Sequence, residues 1–405
     1  MNPAFRLYAL AFLGMHIAFM PVFVLLLPRR VASVLPAGGD ATAALSWLLL
    51  LGGVVAGLAH IGAGAWSDRA FAIRGDRRRT LISGLLLLTL GYAALSISRD
   101  LPMLALSVAI LQVGINATFA PLGALLPDYF PDSDKGTMAG AMNAALPASG
   151  GATALIAWLF PTDGAAAFLA TLALSLACIL PLLVAWPFAQ TVTPGHAVQS
   201  TPRAYGGTGA VTRDFALAWF ARLLVQLGAA FLHGYLFLFL AARFAPGEGT
   251  STSASEMVAL VSAPATIIAL CATLVAGWLS DRMARRRLPL GLAAAAIAVS
   301  LAALSSDISL VGFLLAYTVF QAGLGSFLSV DTALVAQLVS GHPYRGSLLG
   351  VMNLTNTLPA IAAPMLVLLA WSEADLVGRL QTIFLFGSAG ALLAAGCVAA
   401  IRTVR

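Results

Sequence analysis

Gly64-Ala65-Trp66-Ser67-Asp68-Arg69 is written a second time, with two changes, as Gly277-Trp278-Leu279-Ser280-Asp281-Arg282. Each copy follows a long apolar run and precedes a burst of arginine: Arg74, Arg77, Arg78 and Arg79 after the first, Arg285, Arg286 and Arg287 after the second. A phrase repeated in this setting implies two similar membrane halves joined near the middle of the chain.

Composition supports that reading. With 60% hydrophobic and 9% charged residues over 405 positions, the chain cannot fold as one water-soluble core under a polar surface. A helix needs roughly 20 apolar residues to cross a hydrocarbon layer of about 30 Å. Twelve such stretches occur: Phe5 to Leu27, Thr42 to Ile61, Thr80 to Ile97, Pro102 to Leu126, Gly136 to Phe160 and Ala165 to Phe188, then Phe215 to Leu240, Ser255 to Leu279, Leu288 to Ser305, Leu310 to Val339, Leu348 to Ala370 and Leu380 to Ile401. Their length and uniformity favour helices over the short alternating strands of an outer-membrane barrel. The expected fold is an all-α membrane protein with twelve transmembrane helices in two pseudo-symmetric six-helix bundles. Residues 1–189 form the first bundle and 214–405 the second, joined by a linker at 190–213 rich in Thr, Pro, Gly and Ala. The first span exceeds the apolar stretch of a signal peptide and no small-x-small cleavage site follows promptly, so it counts as the first transmembrane helix.

Arginine placement sets the expected orientation, because cytoplasmic loops collect positive charge. With both termini cytoplasmic, the inner loops, linker and ends hold 16 of the 22 basic residues, against Arg29, Arg30, Arg99, Arg243 and Arg379 outside and Arg222 within a helix. The expected location is a cell inner membrane, crossed many times. Topology thus accounts for the net charge of +6, and no nucleic-acid partner is needed. Cys178, Cys271 and Cys397 sit in apolar runs without metal-ligand or redox spacing. There is no phosphate-cradling glycine loop, nucleophile elbow or zinc helix, so neither cofactor, metal nor enzymatic activity is expected.

The duplication extends past the Asp-Arg phrase. Gln112, Gly114, Ala124 and Leu125 precede Gln321, Gly323, Ala333 and Leu334 by 209 positions, and Gly136, Gly140, Met142 and Asn143 precede Gly346, Gly350, Met352 and Asn353 by 210. In these features the chain resembles the major facilitator superfamily, whose inner loops carry G-x-x-x-D-R followed by basic residues. Gly64, Asp68 and Arg69 match that phrase, and Gly277, Asp281 and Arg282 match its weaker second copy. The wide spacing from Asp68-Arg69 to Arg77-Arg78-Arg79 around Gly75, and the Val330 to Pro359 segment, are similar to the glycoside-pentoside-hexuronide and sucrose type of sugar carrier. One departure stands out: the cation-coupled members of that group place acidic residues in the second and fourth helices, and the spans at Thr42 to Ile61 and Pro102 to Leu126 contain none. A carboxylate-built sodium site is therefore not expected.

Polar groups inside apolar helices require a reason, since burying them without partners is costly. The resemblance implies that the first, fourth, seventh and tenth helices line a central cavity. On those helices lie His16, Gln112, Asn116, Gln226, His233, Tyr235 and Gln321, which together offer hydrogen bonds to a hydroxyl-rich solute from both halves. Alternatively, each merely ties helices together, for about 1 kcal/mol apiece.

Charge gives a sharper expectation. Arg222 and Asp331 fall at similar depth on helices that run in opposite senses, so they are expected to pair in the inner third of the membrane. The pair is either a static lock or a switch in which Asp331 takes a proton and releases Arg222. His16 and His233 are alternative proton carriers. At the inner loops Asp68 and Asp281 are expected to cap helices or pair with guanidinium groups, with Asp128 a partner for Arg69 or Arg77. Pro147 and Pro359 are expected to kink their helices.

These readings combine into a monomeric secondary transporter in a lipid bilayer, working by alternating access on a small polar solute. A sugar or glycoside is favoured, with proton symport as an open coupling mode. The alternatives are a proton-driven exporter of drugs or amphipathic metabolites and, from another class, a non-transporting membrane receptor or a lipid-modifying enzyme.

Overall fold

Several of the apolar runs fold into α-helices with chemically legible ends. Asp40 accepts the backbone N–H groups of Thr42 and Ala43, and Ser309 accepts that of Gly312, each satisfying donors that a helix start leaves unpaired. Ser253 and Glu256 exchange hydrogen bonds as a capping box. Gly75 ends its helix with φ of 73°, a left-handed conformation that a Cβ would strain.

The computed structural model describes residues 3–36, 39–129, 135–186, 208–244, 253–283, 285–339, 345–369 and 376–402, and among these the side chains of all but 126–128, 135–141, 208–212, 281, 345–347 and 349–350. Twelve helices follow in order: α1 Pro3–Val34, α2 Ala41–Arg74, α3 Arg78–Ile97, α4 Leu101–Tyr129, α5 Lys135–Leu159, α6 Ala165–Ala185, α7 Thr208–Phe244, α8 Ala254–Met283, α9 Arg287–Leu304, α10 Leu310–Leu338, α11 Arg345–Leu369 and α12 Leu376–Ala400. Eleven are long and apolar enough to cross a membrane on their described residues, and α5, 25 residues long, makes the twelfth. No strand occurs among the described residues.

Packing repeats between the two sets of six. Within the first, α1 packs on α5 and α6, α4 on α2 and α3, and α3 on α6; within the second, α7 packs on α11 and α12, α10 on α8 and α9, and α9 on α12. The sets meet through α2 against α11 and α5 against α8, a pairing related by the same two-fold. Large apolar side chains such as Leu58, Leu86, Leu106, Trp158, Ile267, Val299, Leu315 and Phe386 are exposed on the outside of the bundle, as a lipid-facing belt requires. The Asp-Arg phrases lie at one end of the bundle, on α2 and α8, and that side is designated inner.

Three helices outrun the spans expected from hydropathy. α1 continues to Val34 through a π turn at Val22–Leu26, directly after Pro21, so Arg29 and Arg30 lie in the helix and not in a loop. α2 runs 34 residues, carrying Asp68 and Arg69 on its inner extension. α7 starts at Thr208, inside the segment expected to be linker, and the remainder of that linker lies outside the described residues. Apolar windows miss such extensions because polar residues there meet water or headgroups while the backbone stays helical.

Candidate functional site

The two sets of helices touch closely toward the outer side, and along α2 and α11 the described residues part toward the inner. A Cβ placed on Gly53 of α2 would lie 2.7 Å from the backbone oxygen of Ala360 on α11, so only glycine allows this approach. Beside it Ser46 and Tyr235 share a hydrogen bond of 2.7 Å between fully buried side chains of α2 and α7. Gly150 and Gly151 of α5 lie against Thr266 of α8 in the same way. Further inward the α2–α11 seam opens: Asn353 and Asn356 are exposed, and a Cβ on Gly64 would meet no described atom within 4 Å. Asn143 on α5 donates to Thr332 on α10 at 3.0 Å, a bridge between the sets in the inner third.

Where the seam closes, a cavity of only about 10 Å³ lies between the sets, too small in this conformation to hold a solute. Met20, Asn143, Leu146, Pro147, His233, Gln321, Leu324, Gly325 and Leu328 line it. His233 and Gln321, one on α7 and one on α10, hydrogen-bond to each other at 2.9 Å, and the imidazole meets the Phe320 ring edge-on. The lining carries three polar side chains, two from the second set and Asn143 from the first, which a solute could reach only after the sets separate.

The remaining polar candidates occupy separate places. His16 bonds through Nδ1 to the Phe12 carbonyl at 2.9 Å, lies tilted against the Phe12 ring and meets the Phe119 ring edge-on. Gln112 is buried against Gly52, and its backbone oxygen accepts from Asn116 Nδ2 at 2.9 Å. Asn116 Oδ1 in turn lies 3.2 Å from His60 Nδ1 on α2. Tyr235 is committed to Ser46 in the outer seam.

Arg222 and Asp331 form the expected ion pair, with Nη1 3.0 Å from Oδ2. The carboxylate is buried, while the guanidinium keeps 17% of its side-chain exposure and also donates from Nη2 to Asn356 Oδ1 at 3.2 Å. Gln226 donates to the same oxygen at 2.8 Å, and Asn356 donates to Asn353 at 3.0 Å. A charged pair therefore passes, through one shared amide, to a polar ladder that faces the inner opening. Asp331 Oδ1 has no hydrogen-bond partner among the described residues.

At the inner loop Arg77 is buried, paired with Asp68 at 2.8 Å, donating to Ser67 at 2.8 Å and lying over the Phe71 ring. Arg286 donates to Ser280 at 3.1 Å, so the arginine-to-serine contact recurs in the second copy, while Arg282 stacks over Trp278. Arg69 is exposed. The side chains of Asp128 and Asp281, both expected in these contacts, lie outside the described residues.

Sequence reasoning missed several members of the site. His60 was passed over at the end of a short predicted span, yet α2 continues 14 residues beyond it, so it sits well within the bundle. Asn143 and Asn353 entered only as markers of the repeat, and Asn356 not at all; their clustering near Pro147 and Pro359 was the available signal. The buried Arg29 and Arg30 and the half-buried Asp163 form a cluster at the outer end of α1 that no reading of loop charge suggests.

A family model described as Major Facilitator Superfamily matches residues 7–364. No curated protein sequence matches the chain. Among solved structures it is similar to a bacterial homolog of the human lysosomal transporter Spinster. In the inward-facing and unoccupied conformation the likeness has a TM-score of 0.66 at 14% identity, over 98% of this chain and 95% of that one. In the inward-facing and occupied conformation it has a TM-score of 0.69 at 14% identity, over 98% and 97%.

Proposed function

The chain belongs to the Major Facilitator Superfamily, and from that premise we propose that it carries a sugar or glycoside across the cell inner membrane, with proton symport as the coupling. Membership makes it a membrane transporter working by alternating access and not an enzyme. The observation that carries the finer reading is the cavity between the sets, where His233, Gln321 and Asn143 present imidazole and amide groups of both hydrogen-bonding senses. Neutral donors and acceptors with no free charge suit a polyhydroxylated, uncharged solute.

The coupling reading rests on the neighbouring pair. A proton delivered to Asp331 Oδ1 cancels the charge that holds Arg222. The guanidinium then keeps a hydrogen bond, because it already donates to Asn356. Asn356 also holds Gln226, so proton uptake changes the polar wall facing the inner opening. The pair thus serves as a switch and not a fixed lock. Asp68 with Arg77 serves at the inner gate, and both termini and the segment joining the two sets face the cytoplasm.

One rival draws on a specific observation: Met20, Leu146, Leu324 and Leu328 make much of the cavity wall apolar, as a proton-driven exporter of amphipathic compounds would need. Uptake into proteoliposomes separates the two. Labelled monosaccharides and disaccharides accumulate under an inward proton gradient if the sugar reading holds. Absence of sugar flux under every gradient, with gradient-driven movement of an amphipathic dye, overturns it in favour of the exporter.

A further inference from the structure

At the outer end of α1, Arg29 and Arg30 stand side by side, 5% and 9% exposed. Two buried guanidinium groups share one carboxylate: Arg30 Nε lies 3.0 Å from Asp163 Oδ2 and Arg29 Nε 3.9 Å from Asp163 Oδ1. Among the described residues the cluster therefore carries one uncompensated positive charge, where burial makes such charge costly. Its other contacts among them are neutral. Arg29 Nη1 donates to the Phe160 carbonyl at 2.6 Å and to Ser255 at 3.2 Å, and Arg30 Nη1 donates to the Ser98 carbonyl at 3.2 Å. Ser33 donates to Asp163 at 2.8 Å, and Arg30 also lies over the Phe168 ring.

Donors remain. Nη2 of Arg29 and Nη2 of Arg30 are buried without a hydrogen-bond partner among the described residues. Native proteins rarely leave such groups unmatched, and charged donors least of all. Access exists beside them: a Cβ placed on Gly164, next to Asp163, would meet no described atom within 4 Å, and Asp163 keeps 18% of its side-chain exposure.

We propose that Arg29 and Arg30 form a binding site for a single phosphate group at the outer surface, between the outer ends of α1 and α8 and the α5–α6 connection. A phosphate matches the paired guanidinium edges in charge and geometry, and the hydroxyls of Ser33 and Ser255 lie within the same cluster. The site sits at the membrane-facing end of the helices, so the group comes either from an anionic lipid headgroup or from dissolved phosphate.

The test uses the purified full chain in neutral detergent and follows its thermal unfolding midpoint. Inorganic phosphate, titrated against chloride at constant ionic strength, is one probe; phosphatidylglycerol added to the micelles is the other, with phosphatidylcholine as its control. The site predicts a saturable rise in midpoint. A rise with inorganic phosphate points to the dissolved ion, and one with phosphatidylglycerol alone points to the lipid. Asp163→Asn, which removes the competing carboxylate while keeping its size, tightens the half-saturating concentration about tenfold; Arg30→Gln abolishes the rise. No rise with either probe, or a rise unchanged in both variants, overturns the assignment.

Discussion

The two sets of six helices share a packing frame and differ in what they place inside it. At the position of Asp331 on α10, the equivalent residue of α4, 209 positions earlier, is the fully buried Leu122. Where α4 carries Asn116 bonded to His60, α10 carries Gly325 against Thr273, so close that a Cβ would collide with the threonine hydroxyl. The first set therefore holds an imidazole–amide pair between α2 and α4, and the second brings α8 and α10 into contact and keeps its charge at Arg222 and Asp331. Duplication kept Gly114 as Gly323, Gln112 as Gln321 and Asn143 as Asn353, while the ion pair and the His60–Asn116 pair stand where the repeat breaks.

The comparison is broken most severely at the charged pair. Arg222→Ala leaves Asp331 buried without its counter-charge, and unfolding should cost about 3–5 kcal/mol less than in the native chain. The double change Arg222→Leu with Asp331→Leu makes the second set resemble the first at this depth; it should regain most of the lost stability, read by thermal unfolding in detergent, while transport stays abolished. A double variant that transports would make the pair structural only.

A smaller effect is expected at the outer seam. Gly53→Val drives a branched side chain against the Ala360 carbonyl and should cost about 1–3 kcal/mol by overpacking. Because the collision exists only while the outer side is closed, the variant should raise maleimide labelling of a cysteine introduced at Ser46. Unchanged labelling would show that the seam yields elsewhere.

The cavity and the His60–Asn116 pair sharpen the contrast further. His233→Ala should weaken solute affinity about tenfold, equivalent to about 1.4 kcal/mol, through loss of an imidazole and the freeing of Gln321. His60→Ala and Asn116→Ala should instead show coupling in a double-mutant cycle of unfolding, with an energy of about 0.6 kcal/mol, and little change in affinity. Of similar size, Asn143→Ala removes the bridge to Thr332 and should lower stability by about 0.6 kcal/mol.

Much of this was legible in the sequence because membranes impose a strict code. Twelve apolar runs gave twelve helices, and the repeat of Gln112 in Gln321 and of Asn143 in Asn353 marked equivalent helices before any contact was known. The meeting of Arg222 with Asp331 followed from depth alone, since antiparallel helices place matched depths side by side. Helix ends were less legible: Arg29, Arg30 and Asp68 look like loop charge, but an interfacial helix continues while polar side chains reach partners or water. Partner choice was least legible. Tyr235 could have faced a solute as well as Ser46, and only the close approach of α2 to α7 decides which atom its hydroxyl meets. The contacts of Asn356, held by both Arg222 and Gln226, likewise depend on the rotation of α11, which no spacing rule supplies.

The central claim, that Asp331 and Arg222 couple protons to movement of a polar solute, is tested most directly by sugar flux in proteoliposomes carrying either the native chain or Asp331→Asn. The account predicts that an inward proton gradient drives accumulation by the native chain, and that the variant loses accumulation while retaining downhill exchange. Gradient-driven accumulation by Asp331→Asn at the native level would contradict it.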